Sequence, residues 1–194
     1  RYHKPSFVLT RGEEGVKGSG RSIESYSMYE KLCECKEYLT KFGGHPMAAG
    51  LSLEEENVER FRRKLNEQSG LTEEDLVEKV TIDVPMPIHY IRKDLVQELS
   101  LLEPFGKGNE KPLFAQKNLW VSQMRVFGKN RNVVKMRLTD ENGYPMDGVY
   151  FGNGDEFAEE GRGKRKISIV YYPDINMYQG RESLQVIIRH YQFD

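Results

Sequence analysis

The chain has 194 residues, of which 38% are hydrophobic and 30% are charged, and its formal net charge is −1. This composition is typical of a soluble globular protein with one large domain or two small ones, and it excludes a disordered chain. A net charge near zero also excludes a chain that is basic throughout, so a role in nucleic-acid binding would require a local basic face.

Three short strands are predicted in the first part of the chain. Alternating side chains predict strands over residues 5–10 and 15–23, joined by a turn at residues 11–14. A third strand is predicted over residues 48–53, directly after a glycine-rich turn at residues 43–47. The strands alternate with helical patterns, which indicates a mixed domain built around one sheet.

Helices are predicted where apolar residues recur at helical spacing. Two capping boxes, Ser27 with Glu30 and Ser52 with Glu55, begin helices that run to about Leu39 and to Gly70. The apolar stripe of the first helix consists of Met28, Leu32, Cys35 and Leu39. Further elements are a short helix over residues 72–78, a strand over residues 80–84 and an amphipathic helix over residues 88–103.

Beyond Pro112 the hydrophobic period changes from helical to alternating. Five strands are predicted, over residues 114–127, 133–138, 146–151, 166–172 and 184–189, with a short helix near residues 155–160. This order is typical of a small closed barrel of the OB type. The sequence therefore predicts an α+β chain with a mixed α/β domain over residues 1–103, a linker over 104–112 and a five-stranded barrel over 113–194.

The cysteines and the apolar runs bear on the cellular compartment. Cys33 and Cys35 are two positions apart on a predicted helix and point to different sides, and no further Cys/His set completes a zinc spacing. Both are interpreted as reduced thiols of a cytoplasmic protein. No membrane span or signal peptide is predicted. Because the chain starts at Arg1 and enters a strand directly, we expect it to be a piece of a longer protein.

Small residues surround a single histidine in the segment GGHPMAAG, residues 43–50. Gly43 and Gly44 would let the backbone approach a bulky anion, and His45 could donate a hydrogen bond to a phosphate or carry a proton near neutral pH. The alternative is a glycine-rich turn with a packed histidine. The segment is therefore a candidate catalytic site with His45, Gly43 and Gly44 as its residues.

A second segment, GSGRS at residues 18–22, combines a glycine backbone with hydroxyl groups and a guanidinium. Arginine suits bidentate capture of phosphate. Ser19, Arg21 and Ser22 are therefore candidate phosphate ligands, although turns of this composition also occur without any ligand.

Basic and aromatic residues are concentrated in the predicted barrel. Residues 117–139 contain no acidic residue and carry six basic ones: Lys117, Arg125, Lys129, Arg131, Lys135 and Arg137. Aromatic residues nearby are Trp120, Phe127, Tyr150, Phe151, Tyr171 and Tyr172. Cations that contact a nucleic-acid backbone, together with rings that stack on bases, form a binding surface for single-stranded nucleic acid. The candidate contacts are Lys129, Arg131, Lys135, Arg137, Trp120 and Tyr150; the alternative is that the rings are core and the charges only solvate the strands.

No metal site is predicted in this chain. The four histidines are not spaced as a ligand cluster with Asp or Glu, and an Asp-His-His run is absent from the sequence. A metal of the kind that phosphoester hydrolysis commonly uses would have to be held elsewhere.

Three motifs in this order resemble the RecJ-type exonucleases of the DHH phosphoesterase family: GSGRSI at residues 18–23, FGGHPMAAGL at 42–51 and LEPFGKGN at 102–109. The resemblance covers essentially the whole chain. It implies a DHH-associated domain followed by an OB-fold. It also implies that Ser19 and Arg21 grip the 5′ end or the DNA backbone, and that His45 faces the scissile phosphate.

The resemblance further implies a 5′→3′ exonuclease for single-stranded DNA that acts in repair and recombination in the cytoplasm. Mn²⁺ or Mg²⁺ would be held by an N-terminal DHH domain that this chain lacks, so the chain alone is expected to be inactive and to hold no cofactor. Implied partners are single-stranded DNA, that DHH domain, and single-strand binding protein or a helicase, with no membrane. Two alternatives are a DHH phosphoesterase for oligonucleotides or cyclic dinucleotides and a non-catalytic single-strand binding module.

Overall fold

The computed structural model describes residues 3–12 and 15–194, so that Glu13 and Glu14 of the first predicted turn lie outside the described residues. The chain divides into two units, Arg1–Val80 and Thr81–Asp194. The strands of the first unit are β1 (Ser6–Gly12), β2 (Gly15–Arg21), β3 (Lys41–His45) and β4 (Ala48–Leu53), and its helices are α1 (Met28–Glu34) and α2 (Val58–Glu67). The second unit contains α3 (Lys93–Ser100), β5 (Phe114–Phe127), β6 (Val133–Thr139), β7 (Pro145–Phe151), α4 (Gly154–Glu160), β8 (Lys166–Tyr178) and β9 (Arg181–Phe193).

The first unit is an antiparallel sheet in the order β1-β2-β4-β3, packed on one face by α1 and α2. Ser27 caps α1 by accepting a hydrogen bond from the Glu30 amide, as the first capping box predicts. Met28, Leu32 and Cys35 are fully buried, which confirms most of the predicted apolar stripe. Burial also raises the pKa of the Cys35 thiol to about 11, so the thiol remains protonated at neutral pH.

Several local predictions in the first unit are wrong. The predicted turn at residues 43–47 is only the tight connection at Pro46 and Met47, because Gly43–His45 pairs with β4 as the end of β3. Ser52 lies inside β4 and caps nothing, and α2 begins later, at Val58. Serine and glycine permit turns and caps, but they do not require them when a neighbouring strand offers hydrogen bonds.

The predicted helix over residues 72–78 is a single 3₁₀ turn at Glu74–Leu76, and the predicted strand over residues 80–84 is one bridge from Val84 to Phe114. The Asp75 carboxylate accepts hydrogen bonds from the Thr72 amide and hydroxyl, which holds a compact turn in place of a longer helix. The apolar residues that suggested a longer helix and strand here are largely exposed in the structure.

The second unit is built on a closed barrel in the order β5-β6-β7-β9-β8, in which β7 and β9 are parallel and the other neighbours are antiparallel. Closure removes the open sheet edges that would otherwise need protection. The α+β class and the five-stranded barrel are therefore confirmed. No helix in the described ranges is long and apolar enough to cross a membrane.

The segment before the barrel packs onto the barrel. Ile88 and Ile91 belong to the barrel core, and Val96 and Leu99 of α3 pack against it. The sequence assigns residues 88–103 to the first domain, because a helical period shows that one face is buried but not what covers it.

A buried carboxylate joins this segment to the barrel. Asp140 accepts hydrogen bonds from the amides of Asn142 and Tyr144, and His89 Nδ1 lies 2.8 Å from its other oxygen. Burial acts to raise the pKa of Asp140, but the hydrogen bonds from Tyr144, His89 and Asn142 outweigh it and hold the pKa below its ordinary value. The sequence pattern does not single out this contact.

Candidate nucleic-acid interface

His45 and Arg21 lie on one rung of the first sheet, with Ala48 between them. Residues that pair across strands share a face, and strands lie about 4.8 Å apart, so the two backbones are about 10 Å from each other. Both side chains are exposed, whereas the next position, Ala49, points into the core. An imidazole and a guanidinium therefore stand on either side of a methyl group on the open face of the sheet.

Ser19 and Gly43 occupy the rung two residues away, with Gly50 between them. This rung has the same orientation as the rung of His45 because side chains alternate along each strand. The open face thus has a floor of Gly43, Ala48 and Gly50. A phosphate or a nucleic-acid backbone can approach that floor closely.

The glycines of this sheet have two different roles. A Cβ on Gly43 would meet no atom within 4 Å, and one on Gly50 would lie 3.8 Å from the nearest atom, the Gly18 carbonyl oxygen. A Cβ on Gly44 would lie 2.4 Å from the Ala48 carbonyl oxygen, at a φ of +148°. Packing therefore requires Gly44, whereas Gly43 and Gly50 leave the open face accessible.

We expect Gly43→Ala and Gly44→Ala to separate these roles in urea unfolding of the chain. Gly43→Ala should leave the free energy of unfolding nearly unchanged, because its methyl group enters open space. Gly44→Ala should lower it by about 2–4 kcal/mol, from backbone strain and the clash with β4. Equal urea midpoints for the two variants would contradict the different roles assigned to Gly43 and Gly44.

The open face is cationic. Lys41 and Lys17 share a further rung with Ser52 between them, on the same face as Arg21 and His45. On the described residues of the four strands, no acidic side chain occupies this face. Neither lysine is among the residues predicted from the sequence, although their two-residue spacing from Ser19 and Gly43 is the signal that could have identified them.

Arg21 and Ser22 differ in what they can still bind. Arg21 uses Nη1 to donate to the adjacent Gly20 carbonyl oxygen, at 2.9 Å, which leaves its other guanidinium N–H groups for a ligand. The Ser22 hydroxyl donates a hydrogen bond to the Tyr26 carbonyl oxygen, at 2.5 Å. The Ser22 amide donates a second hydrogen bond to the Met47 carbonyl oxygen. Since a phosphate needs donors, Ser22 is better suited to holding the Pro46–Met47 turn than to binding an anion.

A groove of about 280 Å³ runs over the barrel surface, and its lining includes Arg125, Lys135, Arg137, Asp147 and Gln185. Arg125 and Lys135 share a rung of β5 and β6, and neither has an ion-pair partner within the described part of the chain. Arg137 differs because it is paired with Asp147 across the next ladder. Arg125 and Lys135 are thus the cations that the groove leaves uncompensated.

A neighbouring rung carries two exposed rings. Phe127 pairs with Val133, which pairs with Phe151, and the two rings are 45% and 61% exposed. They lie on the same outer face as Lys135, two residues along β6. Exposed rings beside uncompensated cations are suited to stacking bases while phosphates contact the cations.

Tyr150, a predicted DNA contact, belongs to the barrel packing instead. Its ring stacks on Phe157 at 4.8 Å and meets Tyr191 edge-on at 5.2 Å. Burial raises the pKa of its hydroxyl. Neighbouring positions on a strand face opposite sides, so Tyr150 points inward where Phe151 points out. Tyr171, another of the aromatic residues noted in the sequence, is fully buried.

The other predicted contacts are exposed but not equally available. Arg131 forms an ion pair with Asp155 at 2.6 Å, and its hydrogen bond lowers the pKa of that carboxylate. Trp120 is 46% exposed, and the Lys166 ammonium lies 4.6 Å from its ring centroid, so one ring face is covered. Lys129 is exposed in the loop after β5.

Among residues 3–12 and 15–194, no group of three or more His, Cys, Asp or Glu side chains could hold a metal ion. His45 in particular has no carboxylate partner there. The described residues therefore do not fit a metal centre.

Comparisons with known proteins agree with this architecture. The family model of the RecJ OB domain matches residues 82–190, and that of the DHHA1 domain matches residues 1–70. The single-stranded-DNA-specific exonuclease RecJ of Bacillus subtilis strain 168 is 38% identical over 97% of this chain and 24% of its own length. RecJ of Escherichia coli K12 is 33% identical over 97% of this chain and 33% of its own length. The chain thus spans about a quarter to a third of the length of these curated relatives.

Solved structures show the same fold. The crystal structure of RecJ from Thermus thermophilus in complex with Mg²⁺ matches with a TM-score of 0.77 at 24% identity, over 97% of this chain and 28% of that chain. The Mn²⁺ complex of the same protein matches with a TM-score of 0.77, over 26% of that chain.

Proposed function

Because the chain belongs to the RecJ family, we propose that it is the part of a single-stranded-DNA-specific 5′→3′ exonuclease that binds the strand and closes over its end. The observation that carries this proposal is the rung of Arg21, Ala48 and His45 on an open, cationic sheet face. The whole enzyme would hydrolyse phosphodiester bonds in the cytoplasm during DNA repair and recombination.

The sheet face would bind the end of the strand. Ser19 and Arg21 would hold the terminal phosphate or the adjacent backbone, with Lys17 and Lys41 adding positive charge along the same face. His45 would donate a hydrogen bond to an oxygen of the scissile phosphate, where negative charge increases in the transition state. The small floor between these side chains supports this role because it lets the phosphate come within reach of both.

The barrel would bind another part of the strand. Arg125 and Lys135 would contact phosphates, and Phe127 and Phe151 would stack bases. Cations and exposed rings on one face of the barrel suit a polynucleotide better than a cyclic dinucleotide, which does not need this surface. They therefore favour an exonuclease over a phosphoesterase for small substrates.

A divalent metal ion is part of the proposal for the whole enzyme, since the solved RecJ complexes contain Mg²⁺ or Mn²⁺. We place its ligands outside this chain, in the DHH domain, because the described residues offer no ligand group. That domain is the proposed partner of the sheet face, and single-strand binding protein or a helicase are further proposed partners.

Binding of the chain to oligothymidine at several salt concentrations tests the proposal. For about three phosphate contacts, the logarithm of the association constant should fall by about 2 for each tenfold rise in salt. Added Mn²⁺ should release no nucleotide from this chain. Absence of oligothymidine binding at low salt would contradict the proposed role of the barrel. Metal-dependent degradation of oligothymidine by a pure preparation of the chain would contradict the proposed location of the metal site.

Arg21→Ala should reduce the preference of the full-length enzyme for a 5′-phosphate end over a 5′-hydroxyl end. Loss of a charge-assisted hydrogen bond predicts a reduction of about 10- to 100-fold. The measurement compares degradation rates of the two substrates, with Arg62→Ala on α2 as a control that should change neither. Equal losses on both substrates would show that Arg21 binds the backbone in general.

A further inference from the structure

The turn after His45 is held by the loop that connects β2 to α1. Pro46 and Met47 join β3 to β4, and the carbonyl oxygen of each accepts a hydrogen bond from outside the hairpin. The Met28 amide, at the start of α1, donates to the Pro46 carbonyl oxygen at 2.9 Å. The Ser22 amide, directly after β2, donates to the Met47 carbonyl oxygen at 2.9 Å. The two ends of the loop therefore hold the two residues of the turn.

A side-chain hydrogen bond closes this loop. The Ser22 hydroxyl donates to the Tyr26 carbonyl oxygen at 2.5 Å, and the Tyr26 amide donates to the Ile23 carbonyl oxygen at 3.1 Å. Ile23 and Tyr26 are buried, so this part of the loop is also fixed by packing. The Ser22 hydroxyl thus ties the residue that holds Met47 to the packed part of the loop.

The orientation of His45 depends on this turn. Among the residues that the structure describes, no side chain forms a hydrogen bond or an ion pair with the imidazole, and the imidazole is exposed. The constraint on it is therefore its backbone, which pairs with Ala48 and continues directly into Pro46. A catalytic group that is displaced by about 1 Å can slow a reaction by about 100-fold.

We propose that Ser22 is a positioning residue for His45. Its hydroxyl fixes the loop that holds the Pro46–Met47 turn, and the turn in turn fixes the direction of the imidazole. Ser22 acts through the backbone and does not contact the substrate. This inference rests on the proposed function, because it requires that His45 donate to the scissile phosphate.

Ser22→Ala in the full-length enzyme should lower kcat about 10-fold and leave the affinity for oligothymidine nearly unchanged. The preference for a 5′-phosphate end should also remain, because Arg21 is paired on both sides within the sheet. Ser22→Thr keeps a hydroxyl and should recover most of kcat. Ser100→Ala on α3 is the matched control, because it removes a hydrogen bond of the same kind, from a hydroxyl to the Gln97 carbonyl oxygen at 2.6 Å.

A double-mutant cycle separates positioning of His45 from a general effect on the fold. If Ser22 acts through His45, Ser22→Ala should lower kcat about 10-fold when His45 is present and less than about twofold when His45 is alanine. Equal effects in the two backgrounds, or no effect in either, would overturn the proposal. If His45→Ala leaves kcat unchanged, the proposed role of His45 fails and this inference fails with it. If only Ser22→Ala leaves kcat unchanged, this inference fails alone.

Hydrogen exchange in the chain gives a measurement that does not depend on activity. Ser22 is partly exposed, so removal of its hydroxyl leaves the core intact. Exchange of the Met28 amide should become about fivefold faster in Ser22→Ala, because its acceptor in the turn is held less firmly. Exchange of the Leu51 amide, in the middle of the sheet, should not change. Unchanged exchange at Met28 would show that the hydroxyl does not hold the turn.

Discussion

Replacement of His45 by alanine in the full-length enzyme is expected to lower kcat about 100-fold or more, as loss of one donor to a developing negative charge commonly does. His45 is exposed at the end of β3 and shares a rung with Arg21 on the open face. Affinity for single-stranded DNA should change much less, because the lysines and arginines supply most of the binding.

One further variant distinguishes the possible roles of His45, and a second variant serves as a control. His45→Gln retains a hydrogen-bond donor but cannot carry a proton, so partial recovery of kcat would indicate that hydrogen bonding is the main role. Met47→Ala changes an exposed neighbour in the following turn and should leave kcat unchanged. If the rate of hydrolysis by His45→Ala under single-turnover conditions is the same as that of the unchanged enzyme, His45 has no catalytic role.

Reversal of charge at Arg125 and Lys135 together is expected to weaken binding of oligothymidine to the chain about 100-fold at low salt. Each substitution would remove a charge-assisted hydrogen bond worth about 1.5 kcal/mol or more, and two such effects give this factor. The salt dependence should fall by about 1.4, or 0.7 for each phosphate that is no longer neutralised. Strands of different sequence should be affected alike, because phosphate contacts carry no sequence information.

The pair Arg125 and Lys135 is chosen over Lys135 with Arg137 because Arg137 is already paired with Asp147. Arg131→Ala is the matched control: Arg131 is paired with Asp155 on the surface, and its removal should change binding about twofold at most. Circular dichroism of each variant is the check that it is folded. Unchanged affinity in the folded double variant would show that the groove is not the binding surface.

The elements that depend on local patterns could be predicted from the sequence. Two-residue alternation predicted all five barrel strands, because alternation is the direct consequence of a strand with one buried face. The helical spacing of Met28, Leu32 and Cys35 likewise predicted the buried face of α1. The ends of elements were less predictable, as Ser52 shows, because a residue that can cap a helix can also pair in a strand.

The sequence by itself also determined which residue types are present for the site, including Ser19, Arg21, His45 and the basic run in the barrel. Only the tertiary structure decided which of them act together. Strand register places Arg21 and His45 on one rung, although they lie on strands that are far apart in the chain. No local pattern carries that register, since it depends on which strands become neighbours.

Tertiary structure also decided which charges and rings remain available. Asp147 faces Arg137, and Asp155 pairs with Arg131, so these arginines are compensated while Lys135 is not. Tyr150 and Phe151 are adjacent in sequence and equally aromatic, yet one packs inside and the other is exposed. A side chain's availability depends on the neighbours that folding brings to it, and those neighbours come from distant parts of the chain.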